Sequence, residues 1–184
     1  VLLPQGLTTG RDITGVNLFE NVRKQGALNL DGNSWAEVHD NGSLDITSAI
    51  SVEAWVYFDG AASRGILGRW YTSTADRTFL LLSEDATNIR FYVYTSASSN
   101  IETGDALTAN NWYHVVGTYD GTNQKLYING SESATKATTG TIQTSSEALE
   151  IGRYFDQTSG RALTSPIAQP RIYNRALTAE EVQR

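Results

Sequence analysis

The chain has 184 residues, 40% of them hydrophobic, with 20 acidic against 14 basic side chains for a net charge of -6. That length fits one domain or a single large β-sandwich, and no apolar run approaches the roughly 20 residues that cross a bilayer, so no membrane insertion is expected. The acidic balance disfavours phosphate backbones, hence no nucleic-acid partner, and the absence of cysteine removes disulfides, thiolate metal sites and cysteine nucleophiles.

Residues 1–26 are broken by Pro4, Gly6, Gly10 and Gly15, with Val16, Leu18, Phe19 and Val22 as scattered apolar anchors. They are expected to form an N-terminal arm, holding a short strand or turn, packed on a sandwich that occupies 27–184. With no methionine and a start at Val1, the chain is expected to be a processed or excised part of a larger modular protein. From Ala27 onward short strands are predicted at 27–30, 36–38, 51–58, 65–69, 78–83, 88–95, 112–119, 125–128, 131–134, 149–153 and 165–173, separated by turn residues. Ser/Thr-rich loops are expected at 95–103 and 133–146.

Within Ile89–Tyr94, Ile89, Phe91 and Val93 alternate with Arg90, Tyr92 and Tyr94. The first set packs on a core and the second faces outward. Val52, Ala54, Val56 and Phe58 alternate with Glu53, Trp55 and Tyr57 in the same way, and Trp55 is expected to be buried filler. The richest stretch is Asn111 to Gly130. Trp112, His114, Val116 and Thr118 alternate with Tyr113, Val115, Gly117 and Tyr119, and Asp120-Gly121 and Asn129-Gly130 each supply residues that tolerate positive φ at a hairpin. Trp112 is expected to be a buried core aromatic. At the end, Thr178-Ala179-Glu180-Glu181 spells a capping box that opens a short C-terminal helix.

Trp112 through Gly121, followed by Leu126-Tyr127-Ile128-Asn129-Gly130, resembles the signature of laminin-G-like domains in the concanavalin A-like lectin/glucanase superfamily. Leu28-Asn29-Leu30-Asp31-Gly32, Ser51 to Val56, Ile151-Gly152-Arg153 and Arg171 to Thr178 resemble its other strands in order. The resemblance runs from about residue 28 to 182. It implies an all-β fold, a two-sheet antiparallel jelly-roll sandwich with a short C-terminal helix.

Catalysis finds little support along the strands. Glycosidases need two carboxylates roughly 5 to 10 Å apart, which a Glu-x-Asp-x-Glu run on one strand face would supply. None occurs. Asp31, Glu37, Asp40, Glu53, Glu84, Asp85, Glu147 and Glu150 read as solvated or turn carboxylates, and His39 and His114 as structural histidines, so no catalytic residue is assigned. Gly-x-Ser-x-Gly, HExxH and phosphate-binding glycine loops are also missing.

Many members of the resembled family hold a structural calcium between the early Asp-Gly strand and an acidic pair in the closing strand. Asp31-Gly32 is present here, but Ala168-Gln169 stands where the acidic pair would be. A possible single calcium would fall to Asp31 and Asp40; it needs six to eight oxygens, and losing a carboxylate weakens the site.

Aromatic side chains are the remaining signal: Trp35, Trp55, Trp70, Tyr71, Tyr92, Tyr94, Tyr154 and Phe155. Rings on outward faces or in loops can stack on the apolar face of a sugar. Arg69, Trp70, Tyr71, Tyr94, Arg153 and Tyr154 are the candidate ligand-binding residues. Together with the resemblance they imply a non-catalytic carbohydrate-binding or adhesion module of a surface, secreted or phage virion protein, whose partner is a glycan or another surface protein. Its place would be extracellular, on a cell surface or in a virion. The alternative is a structural interaction or decoration domain without sugar affinity; a glycoside hydrolase ranks below both.

Overall fold

The computed structural model describes residues 18–22, 25–95, 98–154 and 160–184. In chain order the strands are β1 (Leu18–Val22), β2 (Gln25–Leu28), β3 (Ala36–Val38), β4 (Ile50–Phe58), β5 (Arg64–Trp70), β6 (Arg77–Ser83) and β7 (Ile89–Tyr94). They continue with β8 (Ser98–Glu102), β9 (Asn111–Tyr119), β10 (Asn123–Ile128), β11 (Ser131–Ala137), β12 (Leu149–Ile151) and β13 (Ile167–Tyr173), before a single turn of helix, α1 (Ala179–Val182).

All pairings are antiparallel and build two sheets, a seven-stranded one in the order β1-β2-β13-β4-β9-β10-β11 and a six-stranded one in the order β3-β12-β5-β6-β7-β8. Their inner faces share one core. Val52, Ala54, Val56 and Phe58 of β4 and Val115 and Tyr119 of β9 meet Leu67 of β5, Phe79 and Leu81 of β6 and Ile89, Phe91 and Val93 of β7. The expected jelly-roll-type sandwich is therefore the fold.

Turn chemistry joins the strands as expected. Asn129 and Gly130 adopt φ of 51° and 82°, the paired left-handed conformations of a two-residue hairpin turn whose twist matches its strands. Ile128 and Ser131 pair directly across it. Asp120 closes the preceding loop by accepting from the Thr122 and Asn123 amides, both at 2.7 Å. At the C-terminus the capping box forms as spelled, with Thr178 and Glu181 exchanging hydrogen bonds.

Two local expectations are corrected, and a short strand of the kind expected in the arm is found. Residues 98–102, read as loop, form β8, because pairing with β7 supplies backbone hydrogen bonds that Ser/Thr composition does not advertise. Residues 18–22 of the expected arm are a strand paired to β2 at the edge of the seven-stranded sheet, while 1–17 lie outside the described residues. Trp112 and Trp55 are half-exposed rather than buried. In the β4–β9 register, Trp55 lies opposite His114 and Tyr57 opposite Trp112, on the face turned away from the core. The alternation in β4 had set Trp55 on the surface side, and only the size of its ring spoke for burial.

Candidate functional site

The outer face of the six-stranded sheet carries an aromatic cluster. Leu80 and Leu82 of β6 point away from the core and are covered by Trp70, Tyr154, Tyr92 and Tyr94. Trp70 packs at 5.0 Å from Tyr92 and 5.9 Å from Tyr94, tilted and edge-on. Trp70 and Tyr154 are buried, at 4% and 5% exposure, and the half-exposed Tyr92 and Tyr94 form the accessible layer.

Arginines rim this face. The guanidinium of Arg77 lies 5.4 Å from the Trp70 ring centre, Arg90 5.6 Å from Tyr92, and Arg161 5.2 Å from Tyr154. Further along the sheet Arg153 stacks 3.6 Å from Trp35. Such cations gain from the ring quadrupole, and two of them are also held by hydrogen bonds, Arg77 donating to the carbonyls of Tyr71 and Thr72, both at 3.0 Å, and Arg161 to the Tyr154 hydroxyl. Two of the four are paired with carboxylates: Arg90 with Glu84 at 3.0 Å and with Glu102, and Arg153 with Glu150 while reaching Glu37 at 4.0 Å.

Four of the candidate ligand residues are thus gathered on one sheet face, namely Trp70, Tyr94, Arg153 and Tyr154. Arg69 is not among them. It follows Leu67 by two positions, so it points between the sheets while its neighbour Trp70 points out, and it is fully buried. Its donors go to the carbonyls of Leu44 at 3.1 Å, Glu147 at 2.9 Å and Ser145, and to Asp40 at 2.6 Å. No ligand can reach it. Tyr71 is also buried, at 8% exposure, with its hydroxyl donating to the Ala148 carbonyl at 3.0 Å. Burial first, and then the nearby Glu150 and Glu147 charges, push its pKa up.

Several participants escaped the sequence reading as site residues: Tyr92, Arg77, Arg90, Arg161 and Trp35. For Tyr92 and Arg90 a signal existed, since both share the outward face of β7 with Tyr94; Arg77 comes from β6 and Arg161 from a loop. Phe155 lies outside the described residues.

Two of the acidic residues read as solvated, Glu150 and Glu53, are buried. Glu150 is fully buried and lies directly opposite Glu37 in the β12–β3 register, so these two carboxylates share one face on adjacent strands, with Arg153 as their common counter-ion. A scan along single strands does not find such a pair. Glu53 is likewise buried, at 7% exposure, on the outer face of the seven-stranded sheet. His114 Nε2 lies 3.0 Å from its Oε1, Arg171 donates to the same oxygen at 3.0 Å, and the Tyr173 hydroxyl donates to Oε2 at 2.8 Å. Burial raises its pKa, but these hydrogen bonds and the Arg171 charge outweigh it and hold the carboxyl below its ordinary value.

The residues assigned to calcium do not fit an ion. One oxygen of Asp31 accepts from the Asn33 and Ser34 amides, both at 2.9 Å, and from the Ser34 hydroxyl at 2.8 Å, which lowers its pKa as a turn cap. Asp40 is committed to Arg69. Gln169, in the closing strand, accepts from Arg171 through its side-chain oxygen at 3.0 Å. Among the described residues no three His, Asp or Glu side chains converge as a metal site.

Comparison with known proteins settles the family. The family model described as the concanavalin A-like lectin/glucanases superfamily, of laminin-G-like type, matches residues 30–183. The chain belongs to this superfamily. No curated protein sequence matches it significantly. Among solved structures, domain 4 of AbnA, an extracellular arabinanase of family GH43 from Geobacillus stearothermophilus, solved in complex with arabinotriose, is similar with a TM-score of 0.72 at 21% identity, covering 97% of this chain and 85% of that one. The binding domain of Paraclostridial Mosquitocidal Protein 1 gives 0.70 at 19% identity over 92% of this chain and 45% of that one. The botulinum neurotoxin serotype G binding domain gives 0.68 at 19%, over 97% and 45%. The chain thus spans less than half the length of the two toxin chains, and at these identities the likeness shows the fold of this superfamily member. The two toxin neighbours are binding domains.

Proposed function

We propose that this laminin-G-like domain is a non-catalytic carbohydrate-binding module and that glycan lies along the outer face of its six-stranded sheet. The observation that carries this reading is the layered aromatic cluster, with Tyr92 and Tyr94 uppermost on Trp70 and Tyr154, edged by Arg77, Arg90 and Arg161. Sugar rings present C–H faces that stack on such rings and hydroxyls that accept from guanidinium edges. The arabinotriose complex of the similar AbnA domain supports a glycan ligand for a fold of this kind. Among the described residues two carboxylate pairs lie on this face, Glu37 with Glu150 and Glu84 with Glu102, and each is occupied by an arginine counter-ion, Arg153 and Arg90, so they serve the sheet rather than bond cleavage. The domain acts as the glycan-targeting part of a larger extracellular, surface or virion protein.

A glycan array followed by calorimetry with arabinan and galactan oligosaccharides tests this. Replacing Tyr92 or Tyr94 with alanine should remove about 1–3 kcal/mol of binding each, the scale of one ring stacked on an aromatic side chain. Absence of binding to every glycan would favour the decoration-domain alternative instead.

A further inference from the structure

A pocket of about 250 Å³ opens on the opposite side of the molecule, between the outer face of the seven-stranded sheet and the closing helical turn. Its floor is the Glu53 network, with His114, Arg171 and Tyr173 as the three donors around one buried carboxylate. Leu177 and Val182 provide an apolar wall that packs on Val116 and Tyr127. The lip is Arg175, held in a two-pronged pair with Glu181 at 2.6 and 2.8 Å, and Glu181 is itself fixed by the capping box. Every wall is preformed.

The floor and lip charges come as matched pairs. Glu53 answers Arg171, Glu181 answers Arg175, and Arg184, the third arginine of the lining, is exposed with its charge bearing on Glu180 and Glu181. An anion would have to compete with these carboxylates for the guanidinium groups, and a cation with the guanidinium groups for the carboxylates. A hydroxyl, which donates and accepts, suits both members of such a pair without displacing either. The side chain of Arg171 is 39% exposed, and two of its five N–H groups account for its contacts with Glu53 and Gln169. The volume falls below the roughly 300–1,000 Å³ of pockets that take drug-sized ligands, so the occupant is one ring, not a chain. Leu177 and Val182 offer that ring a surface for its C–H face.

We propose that this pocket is a second carbohydrate site, taking a single uncharged sugar ring such as the terminal residue of a glycan. It stands independently of the aromatic face on the other sheet, and the two together make the domain bivalent, able to hold a chain along one face and a chain end on the other.

The test is amide-resolved NMR titration of the folded domain with the methyl glycosides of glucose, galactose, mannose, xylose and arabinose at millimolar concentrations. At least one sugar should shift the Val116, Leu177 and Val182 amides saturably while leaving Tyr92 and Tyr94 in place. Arg171→Lys keeps a cation beside Glu53 for folding but loses the planar fork, and should weaken that sugar about tenfold, the scale of one charged hydrogen bond. The Tyr92→Ala/Tyr94→Ala double variant should retain it at full affinity. Silence of the pocket amides with all five sugars overturns the proposal, as do shifts that survive Arg171→Lys unchanged or vanish in the tyrosine variant; the tyrosine variant's own loss of oligosaccharide binding reads the aromatic face separately.

Discussion

Gly117→Ala should destabilise the domain, although alanine is ordinarily the better strand residue. Gly117 sits in β9 opposite Val52, on the inner face, where a Cβ would lie 2.5, 2.6 and 2.8 Å from Cγ, Cδ2 and Cδ1 of Phe91 in the facing sheet. Carbon atoms in contact prefer about 3.5–4.0 Å, so the ring would have to retreat by about 1 Å. Phe91 has no exposed surface and no empty side to move toward, being packed in the common core. Forcing extra carbon into such a core costs about 1–3 kcal/mol, whereas the narrower unfolded ensemble of alanine returns only about 0.4–1 kcal/mol. Overpacking wins, by about 1–2 kcal/mol. For a domain of this size each kcal/mol moves the melting temperature by about 2–4 °C, so a fall of about 2–8 °C is expected in calorimetry or circular dichroism. Combining the change with Phe91→Leu should cost less than the sum of the two single variants, because the smaller side chain makes room. A melting temperature that stays level or rises in Gly117→Ala would refute the claim that the sheets meet at this glycine.

Two further outcomes are expected. Glu53 has a folded pKa below its unfolded value, so its stabilisation is present above the unfolded carboxylate range near 4.5 and is lost as pH falls through the folded value. Glu53→Gln should therefore lower stability by about 2 kcal/mol at neutral pH, as charge-assisted hydrogen bonds are lost, and flatten its dependence on acid below that range; denaturant curves as steep with acid as the parent's would contradict it. Excess chelator should leave the melting curve unchanged, since Asp31 is a turn cap and Asp40 the partner of a buried arginine. A clear drop would mean that an ion bound to the native state contributes stability by mass action.

The strands and turns of this protein were legible in its sequence because their causes are local. Period-two alternation in β4, β7 and β9, the Asn129-Gly130 turn and the Thr178–Glu181 capping box each need only neighbouring residues, and each formed as read. The motifs read over about 28–182 likewise pointed to the superfamily from order and spacing, and its family model matches 30–183. Tertiary structure decided what period two leaves symmetric. It put Trp112 on the outer face, and it sent Arg69 inward and Trp70 outward although both had been read as ligand residues. It also decided everything that depends on which strands lie side by side. Glu37 meets Glu150 only because β3 pairs with β12, and Glu53 gains His114, Arg171 and Tyr173 from partners 61, 118 and 120 positions away. A carboxylate reads as solvated from its own segment; whether it is buried and paired is set by residues that the fold brings to it from elsewhere in the chain.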